Sequence, residues 1–333
     1  MKHLAAAAAF ALAACATPGP SGNPLSMDAP AGAASAAIAE TAALQAAELP
    51  GYLPDAVMFD MPRNNEHPAR NRQLLIPSEG QGMNALFLLA PGDRPKPTLL
   101  LLHGLPGNER NMDLAQSVRR SGWNVLTFSY RGAWGSPGRF SIAGAIEDAA
   151  AALAFLRTPE AARLYQVDPA RIVLAGHSMG GLAAALNAAR DPSLAGLVLL
   201  DAWNAGPTGA MVAAGGADAR SAFEQRLDDL GNALQGATAA SLTAELLARH
   251  SGWDLRSAAP ALARLPVLSV YARHGIAEDN KALAAAIAAR PGARLHAVEI
   301  DSDHAFADKR MALQFEVVRW LQGLEASRTP VTP

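Results

Sequence analysis

The sequence has little of what marks a nucleic-acid-binding or disulfide-rich protein. Its 333 residues carry 28 Lys and Arg against 30 Asp and Glu, a formal net charge of −2. Without an excess of basic residues, the chain has no electrostatic footprint for nucleic acid. Aromatic residues make up only 5% of the chain, and the single cysteine excludes an intramolecular disulfide. Half of the residues are apolar, which is enough for a large buried core.

The single cysteine closes a short apolar run near the N-terminus. The run Leu4–Ala14 follows a basic start and is shorter than the roughly 20 residues that cross a bilayer, which is typical of a signal peptide. Its end, Leu-Ala-Ala-Cys15, resembles the lipobox of bacterial lipoproteins. The resemblance implies a lipoprotein signal peptide over residues 1–15 and lipidation of Cys15. With Ala16 following, it also implies a periplasm-facing anchor in the outer membrane. The alternative is an ordinary secretory signal with an incidental cysteine.

The rest of the chain divides into a tether, a folded domain and a tail. Residues 16–48 are rich in Ala, Pro, Gly and Ser and predict a flexible tether. Residues 49–325 alternate strand and helix patterns, which predicts an α/β domain with a mainly parallel sheet, and residues 326–333 form a tail. The predicted strands are Arg72–Ile76, Met83–Ala90, Thr98–Leu102, Asn124–Tyr130, Arg171–Ala175, Gly196–Leu200, Val267–Tyr271 and Arg294–Ile300. The predicted helices include Ile142–Leu156, Lys281–Ala289 and Met311–Leu324.

The strongest motif is the segment Gly-His-Ser178-Met179-Gly, which begins directly after the predicted strand Arg171–Ala175. A serine between two such glycines, after a strand and before a helix, has the pattern of a nucleophile elbow. Side chains at Gly176 and Gly180 would collide with the neighbouring strand and helix. The pattern therefore predicts Ser178 as a nucleophile. The amide of Met179, at a helix N-terminus, is then a donor to a substrate oxyanion.

A histidine lies where a serine nucleophile needs its base. His304 follows the last predicted strand and precedes the last predicted helix, and the order serine then histidine fits a hydrolase. An imidazole, with an ordinary pKa of about 6.5, can accept and return the serine proton near neutral pH. Asp301 and Asp303 beside His304 could also be read as metal ligands, but no second ligand cluster supports that reading. We therefore expect neither a metal nor a cofactor.

These motifs, together with His103–Gly107 after the strand Thr98–Leu102, resemble the α/β-hydrolase family over about residues 70–325. The resemblance implies the α/β-hydrolase fold, a mainly parallel sheet flanked by helices. It also implies that the backbone N–H of Leu105 is the second oxyanion donor, while His103 is structural. The nearest branch is that of prolyl oligopeptidases and dienelactone hydrolases, which share segments similar to Arg131–Gly138 and Asp303–Phe306.

The triad acid is missing from its usual place. In the family it follows the strand matched here by Val267–Tyr271, but the next loop has His274 and Gly275 where an aspartate is expected. Three carboxylates remain candidates: Asp201, Glu278 and Asp279. We favour Asp201, because it ends a buried strand at the sheet edge where this fold builds its site. Glu278 and Asp279 come late in the loop, where acids also begin helices. The absence of any acid is the remaining alternative.

A helical insertion at about residues 203–259 has the position of a cap over the site, where it would exclude water and shape substrate choice. Trp203 and Trp253 are candidates for the pocket or for packing. The leading hypothesis is an esterase that acts on a small molecule through an acyl-enzyme. The alternatives are a serine peptidase or aminoacyl hydrolase, and a catalytically weak envelope-associated binding lipoprotein. The acyl group, the leaving group and the oligomeric state are left open.

Overall fold

The computed structural model describes residues 55–228, 230 and 233–327. The predicted signal peptide with Cys15, the tether over residues 16–48 and most of the tail lie outside this part of the chain. Within it, no helix is both long and apolar enough to span a bilayer.

Eight strands form one sheet in the order β1-β2-β4-β3-β5-β6-β7-β8. β1 and β2 pair antiparallel, as do β2 and β4, and the other neighbouring strands pair in parallel. This topology, flanked by helices, confirms the predicted fold class. The strands are β1 Arg70–Ser78, β2 Gln81–Leu89, β3 Lys96–Leu102, β4 Asn124–Phe128, β5 Val167–His177, β6 Gly196–Leu200, β7 Pro266–His274 and β8 Arg294–Asp303.

The helices cover both faces of the sheet, because the central strands are apolar on both sides. Leu99 and Leu101 of β3 pack into one core layer, and Leu100 and Leu102 pack into the other. The helices of the described residues are α1 Asp55–Met58, α2 Met112–Arg120, α3 Ile142–Leu156, α4 Pro159–Tyr165, α5 Met179–Ala188, α6 Ala205–Ala214, α7 Gly216–Asp228, α8 Ala239–Arg249, α9 Ala259–Leu262, α10 Ala277–Ala288 and α11 Arg310–Ala326.

β5, β7 and β8 extend beyond the apolar runs that predict them. β5 begins at Val167 rather than Arg171, and the intervening residues are partly exposed. β7 and β8 continue to His274 and Asp303, which pair with each other after a register shift. Polar residues at the ends of a strand do not belong to its apolar run, so the run alone underestimates the length of the strand. As a consequence, His304 follows the sheet edge directly.

The segment between β6 and β7 is helical and contains α6 to α9. Two backbone hydrogen bonds join this segment to the loop after β4. The backbone N–H of Trp134 donates to the Ala233 carbonyl at 3.0 Å, and the backbone N–H of Gln235 donates to the Gly132 carbonyl at 2.6 Å. The Glu245 carboxylate of α8 accepts from two amides at the N-terminus of α3, each at 2.9 Å. These bonds hold the insertion against the body of the domain.

One side chain of α3 differs from expectation. The helical spacing of Ile142–Leu156 predicts that Glu147 and Asp148 lie on its polar side, but Asp148 is fully buried while Glu147 is exposed. The Asp148 carboxylate accepts from Ser78 Oγ at 2.6 Å, from Arg131 N–H at 2.8 Å and from the Arg131 guanidinium. Burial raises the pKa of Asp148, and these donors favour its charged form. The carboxylate therefore joins β1, α3 and the loop after β4.

We expect Asp148→Asn to lower the free energy of unfolding by about 3 kcal/mol, because it removes one partner of a buried ion pair. Chemical denaturation followed by circular dichroism measures the change. Glu147→Gln is the matched control, since Glu147 pairs with the same Arg131 from an exposed position. Glu147→Gln should lower the free energy of unfolding by less than about 1 kcal/mol. Equal losses in the two variants would contradict the assignment.

Candidate active site

Ser178 occupies the turn between β5 and α5 in a strained conformation. Its φ of 54° and ψ of −120° lie in a region that serine rarely adopts. The flanking glycines make this turn possible. A Cβ at Gly176 would lie 2.1 Å from the Gly180 carbonyl oxygen, and a Cβ at Gly180 would lie 2.4 Å from that of Leu102. The motif therefore folds as its glycines require.

Asp201 directly follows β6 and is fully buried. Its Oδ2 accepts from His304 Nδ1 at 2.6 Å and from Ile276 N–H at 3.1 Å. Its Oδ1 accepts from Ala272 N–H at 3.2 Å and from Asn280 Nδ2 at 3.3 Å. Since a carboxylate is the partner of Nδ1, the hydrogen-bond network assigns the proton to Nδ1. Nε2 of His304 is then free to accept a proton.

The loop that lacks the expected acid makes room for this carboxylate. A Cβ at Gly275 would lie 2.0 Å from Asp201 Oδ2, so no other residue type fits there without displacing Asp201. Glu278 and Asp279 lie in the first turn of α10. Glu278 is exposed and pairs with Lys281 at 3.3 Å. Of the three candidate carboxylates, the structure brings Asp201 to His304.

His177 contacts His304, a role that the sequence analysis missed. Its Nε2 donates to the His304 carbonyl oxygen at 2.8 Å, and the two ring centroids are 4.7 Å apart. Burial, assisted by the neighbouring His304, lowers the pKa of His177 to about 3. The ring is therefore neutral at neutral pH and holds His304 without adding a charge. The position of His177 directly before Ser178 in the elbow was the sequence feature that could have indicated this role.

The loop after β3 lies against the serine. A Cβ at Gly104 would come within 2.9 Å of Ser178 Cβ, so glycine allows the backbone to approach closely. His103 is buried, with Nδ1 donating to the Gly104 carbonyl at 2.8 Å, and burial lowers its pKa to about 4. His103 thus has structural contacts, as expected. Leu105 of this loop and Met179 of the elbow both line the cavity that contains Ser178.

That cavity joins the elbow, the histidine and the helical insertion. It has a volume of about 50 Å³ and is largely apolar. Trp203 contributes to it, with Nε1 donating to Thr208 Oγ1 at 2.9 Å, whereas Trp253 packs in the core. The described residues that line it are Leu105, Ser178, Met179, Trp203, Thr208, Phe223, Arg226, Leu227, Ile276 and His304.

The residues around His304 do not gather as a metal site. Asp301 accepts from His274 Nε2 at 2.9 Å, and Asp303 accepts from Ala307 N–H at 2.8 Å. In the part of the chain that the structure describes, no three His, Cys, Asp or Glu side chains are grouped to hold a metal ion.

The fold and this arrangement are those of an α/β hydrolase. Residues 99–314 match the model of the alpha/beta hydrolase family, and the chain belongs to that family. It is 40% identical over 130 residues to an uncharacterized protein of Mycobacterium tuberculosis strain ATCC 25618 / H37Rv, a match that covers 38% of this chain. It spans only 44% of the length of that relative.

Several solved structures share the fold. They include esterases from Rhizomucor miehei, with a TM-score of 0.59 at 18% identity over 87% of this chain and 97% of the other. A 2,6-dihydroxy-pseudo-oxynicotine hydrolase has a TM-score of 0.58 at 18% identity, and the match covers 80% of this chain and 71% of the hydrolase. The enol-lactonase of Burkholderia xenovorans LB400 has a TM-score of 0.51 at 20% identity, and the match covers 73% of this chain and 98% of the lactonase.

We expect Asp201→Asn to lower the turnover of a p-nitrophenyl ester by about 10⁴-fold, because the amide no longer stabilises an imidazolium at His304. Steady-state kinetics measure this loss, with circular dichroism as a check on folding.

Glu278→Gln and Asp279→Asn are the controls, since both residues lie in the first turn of α10. Turnover should change far less in either control. A larger loss in one of them than in Asp201→Asn would assign the acid to α10 instead.

Proposed function

We propose that this protein is a serine hydrolase that cleaves a carboxylic ester. Ser178 attacks the ester carbonyl while His304 takes its proton, and Asp201 holds the imidazole and stabilises its charged form. The amides of Leu105 and Met179 stabilise the oxyanion. His304 then protonates the leaving alcohol, and an acyl group remains on Ser178. Water activated by His304 releases the acid and restores the serine.

The observation that carries the proposal is the 2.6 Å bond between Asp201 and His304, beside a cavity that His304 shares with Ser178. The alternative of a catalytically weak binding protein rested on the lack of an acid in the loop after β7. A buried carboxylate from the end of β6 supplies that group, and Gly275 leaves it space. These contacts favour an active hydrolase over the weak-enzyme alternative.

The small cavity favours an ester over a peptide. A peptidase must hold chain on both sides of the scissile bond, whereas Phe223 and Leu227 of α7 line a cavity of about 50 Å³ next to Ser178. Several proteins of similar fold are described as esterases or as an enol-lactonase. The segments Arg131–Gly138 and Asp303–Phe306 support a place in the prolyl-oligopeptidase and dienelactone-hydrolase branch.

We expect Ser178→Ala to abolish hydrolysis of p-nitrophenyl esters, by about 10⁶-fold in turnover, because triad serines act as a unit with their base. The same variant should lose labelling by a fluorophosphonate probe, which requires an activated serine. A graded panel of acyl chains, with aminoacyl amides beside it, separates esterase from peptidase activity. Turnover within tenfold of the unmodified protein would refute the nucleophile assignment.

We also propose that the protein is anchored through lipidated Cys15 in the outer membrane, facing the periplasm. The position of the chain's single cysteine after Leu12-Ala13-Ala14 supports this proposal.

We expect Cys15→Ser to release the protein from the membrane fraction into the soluble periplasmic fraction, because several acyl chains are needed for firm anchoring. Fractionation followed by immunoblotting measures the change. Ser26→Ala in the tether is the control and should stay with the membrane. Unchanged fractionation of Cys15→Ser would show that the cysteine is not the anchor.

A further inference from the structure

The active-site cavity contains one cationic side chain that the proposed mechanism does not use. Arg226 of α7 lines it together with Ser178 and His304. Among the other described residues of the lining, most are apolar and none is acidic. A guanidinium is charged at all ordinary pH values, so a permanent positive charge borders the space where substrate binds.

Among the residues that the structure describes, Arg226 has no anionic partner. Its Nε–H is buried and lacks a hydrogen-bond acceptor, and no carboxylate of the described residues forms an ion pair with it. Two other arginines of the insertion do have such partners: Arg220 pairs with Glu224 at 2.8 Å, and Arg256 pairs with Asp254 at 2.6 Å. A buried donor that is left without an acceptor is destabilising, and more so when it belongs to a charged group.

The guanidinium is also held in place. Its central carbon lies 5.6 Å from the ring centroid of Phe223, one helical turn earlier on α7. Such a cation–π contact attracts the guanidinium to the ring without satisfying its N–H donors. A fixed, planar set of donors matches the two oxygens of a carboxylate.

We infer that Arg226 binds a carboxylate of the substrate, so that the protein acts on short esters that carry a second, anionic group. This inference rests on the proposed esterase function. The guanidinium holds the carboxylate through charge-assisted hydrogen bonds, and Ser178 attacks the ester carbonyl a few bonds away. The anionic group belongs to the acyl half or to the alcohol half of the ester, and the experiments below distinguish the two.

The enclosed part of the cavity favours a short substrate. One water needs about 10–15 Å³ of such space, so a cavity of about 50 Å³ holds only a few groups of that size. Leu105, Met179 and Ile276 supply apolar contacts for methylene groups between the ester and the carboxylate.

The acyl half is tested with two esters of equal chain length, mono-p-nitrophenyl glutarate and p-nitrophenyl pentanoate. We expect the unmodified protein to prefer the glutarate ester in kcat/KM. In Arg226→Gln, the ratio of the two values should fall by about 10- to 100-fold, as for loss of a hydrogen bond to a charged group. Arg226→Lys keeps the charge without the planar fork and should restore part of the ratio.

The control is Arg220→Gln, which removes the same charge from an exposed position on the same helix. It should leave the glutarate-to-pentanoate ratio unchanged. A fall in the ratio equal to that of Arg226→Gln would show a general charge effect and would overturn the inference.

The alcohol half is tested with 4-acetoxybenzoate against phenyl acetate. An Arg226-dependent preference for 4-acetoxybenzoate, without one for the glutarate ester, assigns the carboxylate to the alcohol. An Arg226-dependent preference for the glutarate ester assigns it to the acyl group. If Arg226→Gln leaves both preferences unchanged, the inference is wrong.

Binding separates this inference from the proposed function. Titration calorimetry of glutarate and of 4-hydroxybenzoate with Ser178→Ala needs no catalysis. We expect at least one of them to bind, and its affinity to fall at least tenfold when Arg226→Gln is added. Binding that does not depend on Arg226 overturns the carboxylate site. Full ester hydrolysis by Ser178→Ala would overturn the proposed function while leaving an Arg226-dependent binding site in place.

Discussion

The buried carboxylate of Asp201 is the interaction on which the geometry of the site depends. A charge removed from water is tolerated only where hydrogen-bond donors replace its hydration. The donors to Asp201 come from β7, from the loop after β7, from α10 and from His304. The ends of β6, β7 and β8 must therefore meet at a single point. The same contacts orient the imidazole whose other nitrogen, in the proposed function, takes the proton of Ser178.

Much of the fold and of the candidate site could be predicted from the sequence, wherever neighbouring residues in the chain determine the structure. β6 and α3 have the predicted bounds, because continuous apolar runs and helical spacing reflect burial directly. Ser178 follows from glycines on either side of it, and Asp201 from its place at the end of a buried strand. The burial of Asp148 and the bond from His177 could not be predicted, since both depend on which distant segments meet.

The helical insertion is an integral part of the site. It contributes Trp203, Phe223 and Arg226 to the cavity, and its bonds to the loop after β4 and to α3 fix where those side chains lie. The sheet edge supplies the reacting groups, whereas the insertion supplies most of the remaining wall. In the proposed function, the reacting groups and the groups that select the substrate therefore lie in separate stretches of the chain.

The contact between Gly275 and Asp201 also limits how such a site could change over time. An aspartate at position 275 would overlap the carboxylate that is already present, because even its Cβ would be 2.0 Å from Oδ2. Removing Asp201 first would leave His304 without an acid. A change from an acid after β6 to an acid after β7 therefore has no single substitution that keeps one well-placed carboxylate beside His304. The two arrangements differ by at least two substitutions.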